Sequence, residues 1–208
     1  MARVDELRRK ALSTLQEFEV LMIDGHFDYG NGYHGRVYLN AHRIFRQPSL
    51  IWRLSQDLLD VIPGAVLDVG GVEDGAGPIT GGALLAHTLA GLLDSRRHLG
   101  HEPTSFAPLS FDDHGDLSLR HFYRSVVRGR RVLLADDVRN TGKTFETAKS
   151  IIESAGGTVV ATTQIYDRME AMVDLGVPNI ALAEYRAPEN FAAASCPLCK
   201  SGQPITTF

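Results

Sequence analysis

The apolar positions of this 208-residue chain follow a helical spacing near the N-terminus and form short uninterrupted runs further along. An amphipathic helix is predicted to open the chain, because apolar side chains recur at Val4, Leu7, Ala11, Leu15 and Phe18. A second helix is predicted to begin near a proline, which suits a first helical turn. The apolar face of this second helix follows Pro48 and comprises Leu50, Ile51, Leu54, Leu58 and Leu59. Between the two helices we predict turns and one short strand at 36–40.

Further along the chain, predicted strands and helices alternate. The strands are predicted at 65–69, 132–135, 158–166 and 180–185, and the helices at 82–93, 144–155 and 169–175. The helix at 144–155 ends at Gly156-Gly157, where a left-handed cap residue is expected. Alternation of this kind implies a parallel sheet with right-handed crossovers, so we predict an α/β fold. The polar segment 94–125 shows no clear pattern.

Composition and charge narrow the classes of function. With 44% hydrophobic and 22% charged residues, the chain has the composition of a globular protein, and its length suits one domain. A formal net charge of -4 argues against nucleic-acid binding, which needs a basic face. No apolar run approaches the length of a membrane span, and the N-terminus lacks a signal-peptide core. We therefore expect a cytoplasmic protein with no membrane partner.

The segment 130–144 carries the clearest chemistry. The apolar run 132–135 stops at two adjacent carboxylates, Asp136 and Asp137, and a hydroxyl-rich turn then leads into a helix. Ligands of open α/β sheets lie beyond the carboxyl ends of the strands, and a helix N-terminus favours an anion. Thr141, Gly142 and Thr144 are therefore placed to wrap a phosphate, with the two carboxylates beside it as hydroxyl acceptors. One phosphate next to two hydroxyls describes a ribose 5-phosphate.

The segment 130–144 also allows two other interpretations, a P-loop and an ordinary strand–turn–helix. Gly142, Lys143 and Thr144 match the end of a P-loop, but that motif needs a glycine five residues before Gly142, where this chain has Asp137. The P-loop interpretation therefore fails. An ordinary strand–turn–helix with a solvated aspartate pair is the other alternative, and the turn chemistry argues against it.

Residues 132–144 closely resemble the phosphoribosyl-pyrophosphate (PRPP) signature of type I phosphoribosyltransferases. The resemblance implies that Asp136 and Asp137 act as catalytic residues that hold the ribose 2- and 3-hydroxyls, with Mg²⁺ as cofactor, bound through the substrate and in part through these carboxylates. It also implies the family's α/β parallel-sheet fold, with helices on both faces, and a homodimer. A small hood is expected to comprise residues 1–45 and the C-terminal tail, over a core of about 46–190. The residues expected to cradle the 5-phosphate are Arg139, Asn140, Thr141, Gly142, Lys143 and Thr144.

Residues 68–82 are rich in glycine, which lets backbone N–H groups approach a charged ligand closely. We interpret this segment as a loop between a strand and a helix. Its end, from Gly77 to Gly82, resembles the family's pyrophosphate loop. By that resemblance Thr80, Gly81 and Gly82 lie against the pyrophosphate of PRPP.

Three further segments resemble one branch of the family, the orotate phosphoribosyltransferases. The segment 25–40, with Phe27 and Tyr38, is similar to the branch's base-covering segment. Residues 165–170 are similar to its Asp-Arg-x-Glu element, in which the arginine lies at the orotate carboxylate. A guanidinium can donate two hydrogen bonds to a carboxylate, so Arg168 suits an acidic base. The third segment is the tail 196–202, and the implied reaction converts orotate and PRPP to orotidine 5'-monophosphate and pyrophosphate.

The chain departs from this branch at its mobile catalytic loop. The corresponding stretch, 107–115, keeps His114 and Gly115, but Asp112 and Asp113 precede them where the branch has cations. Two carboxylates facing a pyrophosphate would repel it. His114 is a candidate catalytic residue and equally an ordinary loop residue. Two alternatives therefore stay open: a phosphoribosyltransferase for a different base, and a PRPP-binding regulatory protein without turnover.

The cysteines are Cys196 and Cys199, spaced C-x-x-C near the C-terminus. One such pair cannot fill a four-ligand zinc site alone, and no strand–helix pattern marks it as a redox motif. We interpret it as a structural tail with two reduced thiols, with an inter-subunit metal site or a regulatory disulfide as the alternatives.

Overall fold

A computed structural model describes residues 2–30, 32–67, 73–78, 81–97, 100–112, 114–169, 173–188 and 190–207. The helices are α1 (Ala2–Glu17), α2 (His42–Phe45), α3 (Pro48–Val61), α4 (Gly64–Leu67), α5 (Gly81–Arg96), α6 (His121–Val127), α7 (Lys143–Ser154) and α8 (Pro197–Lys200), with a 3₁₀ turn at Ala193–Ser195. The strands are β1 (Leu21–Met22), β2 (Phe27–Asp28), β3 (Tyr33–Gly35), β4 (Tyr38–Leu39), β5 (Asp74–Pro78), β6 (Ser105–Phe111), β7 (Leu117–Leu119), β8 (Arg131–Arg139), β9 (Thr158–Asp167), β10 (Asn179–Glu184) and β11 (Phe191–Ala192).

A six-stranded sheet forms the centre of the described chain, in the order β10-β9-β8-β5-β6-β7. All neighbouring strands are parallel except β7, which pairs antiparallel with β6. Ala76 of β5 lies opposite both Ala107 of β6 and Leu134 of β8. The carboxyl ends of these three strands therefore meet at one edge of the sheet. The predicted α/β parallel-sheet fold is confirmed.

Helices cover both faces of this sheet. Alternate residues of β8 enter opposite cores, because successive strand side chains point to opposite faces. Leu133 and Ala135 belong to the core that α1, α3 and α5 cover, whereas Val132 and Leu134 belong to the core that α6 and α7 cover. Burial on both faces explains why the sequence of β8 is a continuous apolar run rather than an alternating one.

A small three-stranded sheet, called the hood below, joins the two ends of the chain. Its strands pair in the order β11-β3-β2, so the C-terminal strand β11 pairs with the N-terminal strand β3. The tail also hydrogen-bonds to the hood, because the backbone N–H of Asp28 donates to the Thr206 carbonyl at 3.0 Å. Helix α1 packs instead on β10 and α3 of the core. Within the described residues, no helix has the length and apolar character needed to cross a membrane.

Most predicted elements are confirmed, with three corrections. The predicted strand at 65–69 is wrong for its described part, because Gly64–Leu67 forms α4. The predicted glycine-rich loop contains β5, a fully buried strand in the middle of the sheet. The predicted helix at 169–175 is not helical in its described residues, and Met169 has a positive φ of 54°. The segment without a clear pattern folds into β6, β7 and α6.

Candidate functional site

The aspartate pair lies on β8 beyond the last pair that this strand makes with β5, while β8 stays paired with β9 as far as Arg139. Each carboxylate is oriented by the backbone that follows it. The N–H of Asp137 donates to Asp136 Oδ1 at 2.9 Å, and the N–H of Val138 donates to Asp137 Oδ1 at 2.8 Å. Burial, and then the neighbouring Asp137 carboxylate, raise the pKa of Asp136 well above its usual range. Two like charges at a buried edge are costly alone, which is typical of carboxylates that meet a ligand.

Gly81 and Gly82, at the start of α5, lie directly against this pair. A Cβ atom on Gly81 would collide with the Asp137 carboxylate, and one on Gly82 would stand 2.9 Å from Asp136 Oδ1. The predicted pyrophosphate loop and the predicted ribose-binding aspartates are therefore brought together. Thr80, the third residue of that prediction, lies outside the described residues.

The N-terminus of α7 forms the second wall of the site. Gly142 precedes the helix with a φ of 85°, and no described side chain caps it. The first backbone N–H groups of α7 consequently have no intrahelical partner and can bind an anion. They open on a recess of about 100 Å³. The recess is lined by Asp136, Val138, Arg139, Asn140, Thr141, Gly142, Lys143, Thr144 and Phe145, which include all six predicted phosphate-cradle residues.

Arg139 lines the recess, but nearly all of its side chain lies beneath it. Its side chain is buried, its Nη2 donates to the Val173 carbonyl at 3.2 Å, and its Nη1 lies 3.9 Å from Asp167 Oδ2. The Nε and Nη1 atoms have no hydrogen-bond partner among the described residues. A Cβ on Gly142 would stand 3.1 Å from Arg139 Nε, so the guanidinium supports the turn from below.

A cleft of about 530 Å³ separates the hood from the aspartate pair. Tyr38 and Arg168, two of the predicted base-binding residues, line it together with Asp137. Phe27 does not line it, since this ring is buried and packs 5.8 Å from the Tyr38 ring. The complete lining is Tyr29, Val37, Tyr38, Leu39, Asn40, Ala41, His42, Asp137, Val138, Asn140, Arg168 and Asn190.

Asp167 fixes the backbone on both sides of Arg168, and sequence reasoning missed this role. Its buried Oδ2 accepts from Gln164 Nε2 at 3.0 Å and from Asn179 Nδ2 at 2.9 Å. Its Oδ1 accepts from the backbone N–H of Met169 at 2.8 Å, which fixes the left-handed turn after Arg168. The only sequence signal for this buried carboxylate was its place in the segment that resembles the Asp-Arg-x-Glu element.

The expected catalytic loop is a β-hairpin. Residues 105–111 form β6 of the central sheet, and the described tip residues 112 and 114–116 lead into the antiparallel strand β7. Asp112 organises this tip, because its Oδ1 accepts from the backbone N–H groups of His114 at 2.9 Å and Asp116 at 3.0 Å. The Asp112 carboxylate is therefore hydrogen-bonded within its own turn, and His114 is an exposed residue of that turn. Asp113 lies outside the described residues.

Comparisons with known proteins agree with this geometry. No protein-family model matches the chain. An orotate phosphoribosyltransferase from Caldanaerobacter subterraneus subsp. tengcongensis is 28% identical over 198 residues, 95% of each chain. Orotate phosphoribosyltransferase 2 of Mesorhizobium japonicum is 32% identical over 167 residues, 80% of each chain. The crystal structure of orotate phosphoribosyltransferase from Aeropyrum pernix superposes with a TM-score of 0.63 at 22% identity, covering 83% of this chain and 92% of that one.

Proposed function

The chain belongs to the orotate phosphoribosyltransferase family of type I phosphoribosyltransferases, which are glycosyltransferases, and we propose that it transfers phosphoribose from PRPP to orotate. The observation that carries this proposal is the position of Asp136 and Asp137 between the N-termini of α5 and α7. Two anion-binding helix ends flank two hydroxyl acceptors, as a substrate with a phosphate, a diol and a pyrophosphate requires.

In this arrangement each part of PRPP meets a different element. The 5-phosphate enters the recess at the start of α7, among the six residues from Arg139 to Thr144. The ribose hydroxyls donate to Asp136 and Asp137. The pyrophosphate lies along the Gly81-Gly82 backbone, which is bare because the aspartates leave no room for a side chain.

The base occupies the cleft under the hood. Tyr38 offers a ring face, and Arg168 offers a guanidinium that can donate two hydrogen bonds to a carboxylate. Because Asp137 lines the same cleft, a base bound there approaches the ribose carbon that loses pyrophosphate. Phe27 supports Tyr38 from behind in this proposal.

Catalysis is then mainly positioning and charge compensation. The ribose develops oxocarbenium character as pyrophosphate leaves, and a base nitrogen held on the other side completes the transfer. Asp136 and Asp137 present hard carboxylate oxygens beside the polyphosphate, which suits Mg²⁺. When bound, this ion would neutralise charge on the departing pyrophosphate.

The division into hood and core is part of the same proposal. The hood would comprise residues from the first 45 together with the tail, and it would cover the base while the core holds PRPP. The homodimer implied by the family is likewise a proposal. Sedimentation equilibrium of the purified chain would test it.

The test is pyrophosphate release from PRPP and Mg²⁺, with and without orotate. We expect orotate-dependent release, with a loss of at least about tenfold in kcat/KM for Asp136→Asn and Asp137→Asn, since a hydrogen bond to a charged group contributes about 1.5–3 kcal/mol. Asp174→Asn, at an exposed turn, is the matched control. Unchanged kinetics in the double Asp136→Asn/Asp137→Asn variant would contradict the assignment.

Arg168 is tested separately. Arg168→Lys removes the planar two-pronged donor but keeps the charge, so KM for orotate is expected to rise on the order of tenfold while KM for PRPP stays the same. Arg53→Lys on α3 is the control, because Arg53 is exposed and its Nε donates locally to the Ser49 carbonyl. A rise in KM for PRPP with KM for orotate unchanged would assign Arg168 to PRPP instead, and an equal rise in both would contradict a role specific to orotate.

A second candidate function is favoured by the hairpin tip. The sequence from 112 to 116 is Asp-Asp-His-Gly-Asp, which contains no lysine or arginine to meet a pyrophosphate. Such a chain fits a phosphoribosyltransferase for another base, or a PRPP-binding regulator without turnover. PRPP binding by calorimetry with no pyrophosphate release across a panel of bases would select the regulator.

A further inference from the structure

Four side chains from the two ends of the chain converge inside the hood. His26 precedes β2, His34 lies in β3, Cys196 precedes α8 and Cys199 lies in α8. One ligand atom of each, two ring nitrogens and two sulfurs, lie within 4.8 Å of one another. His26, His34 and Cys196 are buried, and both cysteines are free thiols.

Four of the six separations between the ligand atoms fit a tetrahedron around one metal ion. His26 Nε2 lies 3.3 Å from His34 Nδ1 and 3.6 Å from each sulfur, and His34 Nδ1 lies 3.3 Å from Cys199 Sγ. Zinc bonds of about 2.0–2.1 Å to nitrogen and about 2.3 Å to sulfur, at tetrahedral angles, place two nitrogens about 3.4 Å apart and a nitrogen and a sulfur about 3.6 Å apart.

The single lone pair of His26 Nε2 faces three neighbours at once, more than one hydrogen bond can satisfy. His26 Nδ1 lies 2.9 Å from the Gln203 carbonyl oxygen, which can only accept, so Nδ1 carries the proton of the neutral ring. The Nε2 lone pair is then directed at the other three ligand atoms. A cation between the four atoms satisfies them all.

The surroundings match those of metal-bound histidines. Ligating imidazoles usually donate their second N–H to a carbonyl or a carboxylate, which fixes the tautomer. His26 does so to Gln203, and His34 Nε2 lies 3.9 Å from Asp28 Oδ1. Two sulfurs with two imidazoles favour zinc over magnesium or calcium, and four protein ligands leave no open position for substrate.

We propose that His26, His34, Cys196 and Cys199 bind one structural Zn²⁺ that clamps the C-terminal tail to the N-terminal hood. The Cys-x-x-Cys pair therefore supplies half of an intrachain site, rather than a metal-free tail, a disulfide or an inter-subunit site. The clamp joins residues about 170 positions apart and holds the strands β2, β3 and β11 together. Tyr38 and Asn190, which line the cleft, lie next to these strands in the chain, so the ion would fix the hood over the base site.

Metal content is the first test. The whole chain, expressed in zinc-supplemented medium and purified without chelator, is expected to contain one zinc per chain by inductively coupled plasma mass spectrometry. The Cys196→Ser/Cys199→Ser variant is expected to fall to background. His101→Asn, at an exposed histidine outside the cluster, is the control and should keep one zinc. Wild-type protein without zinc, or a double variant that retains it, would overturn the proposal.

A spectroscopic test uses the wild-type chain only, in case the variant does not fold. Zinc is removed with a chelator and Co²⁺ is added. Two thiolates and two imidazoles should give tetrahedral ligand-field bands with thiolate-to-cobalt charge transfer, and a mercurial reagent should release the native zinc. The chelator should also lower the Tm of the wild-type chain. Octahedral cobalt bands, or a Cys196–Cys199 disulfide in intact metal-free protein by mass spectrometry, would contradict the site.

Discussion

A Cβ atom on Gly82 would stand 2.9 Å from Oδ1 of Asp136 and 2.6 Å from the carbonyl oxygen of Ala135. The N-terminus of α5 therefore approaches β8 as closely as two backbones can, with the aspartate pair between them. This contact explains why glycine opens a helix that is otherwise rich in leucine and alanine. It also makes the spacing between the proposed pyrophosphate and ribose subsites depend on the absence of one methyl group.

Gly82→Ala tests this close approach. The added methyl group must displace Ala135 or Asp136, so we expect a loss of about 1–3 kcal/mol in the free energy of unfolding, together with weaker PRPP binding. Gly91→Ala in the same helix is the control, because no described atom lies within 4 Å of a Cβ there, and it should stabilise the chain by about 0.5–1 kcal/mol. Equal effects in denaturant titrations would disprove the steric argument.

The raised pKa of Asp136 predicts a pH dependence of PRPP binding. Only the ionised carboxylate accepts hydrogen bonds from ribose hydroxyls with both oxygens, and burial keeps the proton bound to a higher pH than in a free aspartate. PRPP affinity should therefore increase as the pH rises through this pKa. The Asp136→Asn variant should bind PRPP more weakly, and its affinity should not show the rise with pH that titration of Asp136 produces. Calorimetric titrations over a pH series measure the PRPP affinity of both proteins. Parallel plots of affinity against pH for the wild type and the variant would refute the assignment.

Asp74 is the first residue of β5, at the end of the sheet opposite the aspartate pair. We expect this carboxyl group to make the free energy of unfolding depend on pH. Burial raises its pKa to about 6, and the nearby Arg130 only partly offsets this. The native state therefore holds the proton more tightly than the unfolded chain does. The protonated Asp74 carboxyl contributes fully to the free energy of unfolding below about pH 4, and this contribution is lost as the pH rises through 6. Asp74→Asn should add about 1–3 kcal/mol at pH 8, since one pKa unit equals about 1.4 kcal/mol.

The measurement for Asp74 is chemical denaturation at pH 4, 6 and 8. The advantage of the Asp74→Asn variant over wild type should be smallest at pH 4 and should grow with pH. A constant difference would show that the Asp74 carboxyl does not titrate between the folded and unfolded states.

Asp167 supports the site from within the core. Asp167→Ala removes the acceptor of Gln164, Asn179 and Met169 and leaves Arg139 buried without its nearest carboxylate. We expect a loss of about 3–5 kcal/mol, as for other broken buried pairs. Asp174→Ala, which loses one bond to Gly176 at an exposed turn, should cost less than about 1 kcal/mol. Thermal unfolding of both variants provides the comparison, and similar Tm values would contradict the role.

The elements that sequence patterns predicted well are those with strong local signals. Strand β8 and helix α7 follow from a buried apolar run and a helical spacing that no neighbour has to complete. Strand β5 could not be predicted, because Asp74-Gly-Ala-Gly-Pro has a low strand propensity. It is a strand because β8 and β6 pair with it, and Gly75 is needed since a Cβ there would stand 2.9 Å from the Ala86 carbonyl of α5.

The sequence by itself determined the strand–turn–helix that carries the proposed ribose-phosphate site, because Asp136, Asp137 and the turn before α7 are contiguous and their geometry is set by one strand, one turn and one helix. Tertiary structure alone decided the rest of the site. It placed Gly82 against Asp136, and it brought His26 and His34 to the two cysteines. It also directed the Asp112 carboxylate to the backbone of its own hairpin turn. These relationships join segments far apart in the chain, and packing of the folded sheet and hood determines their distances.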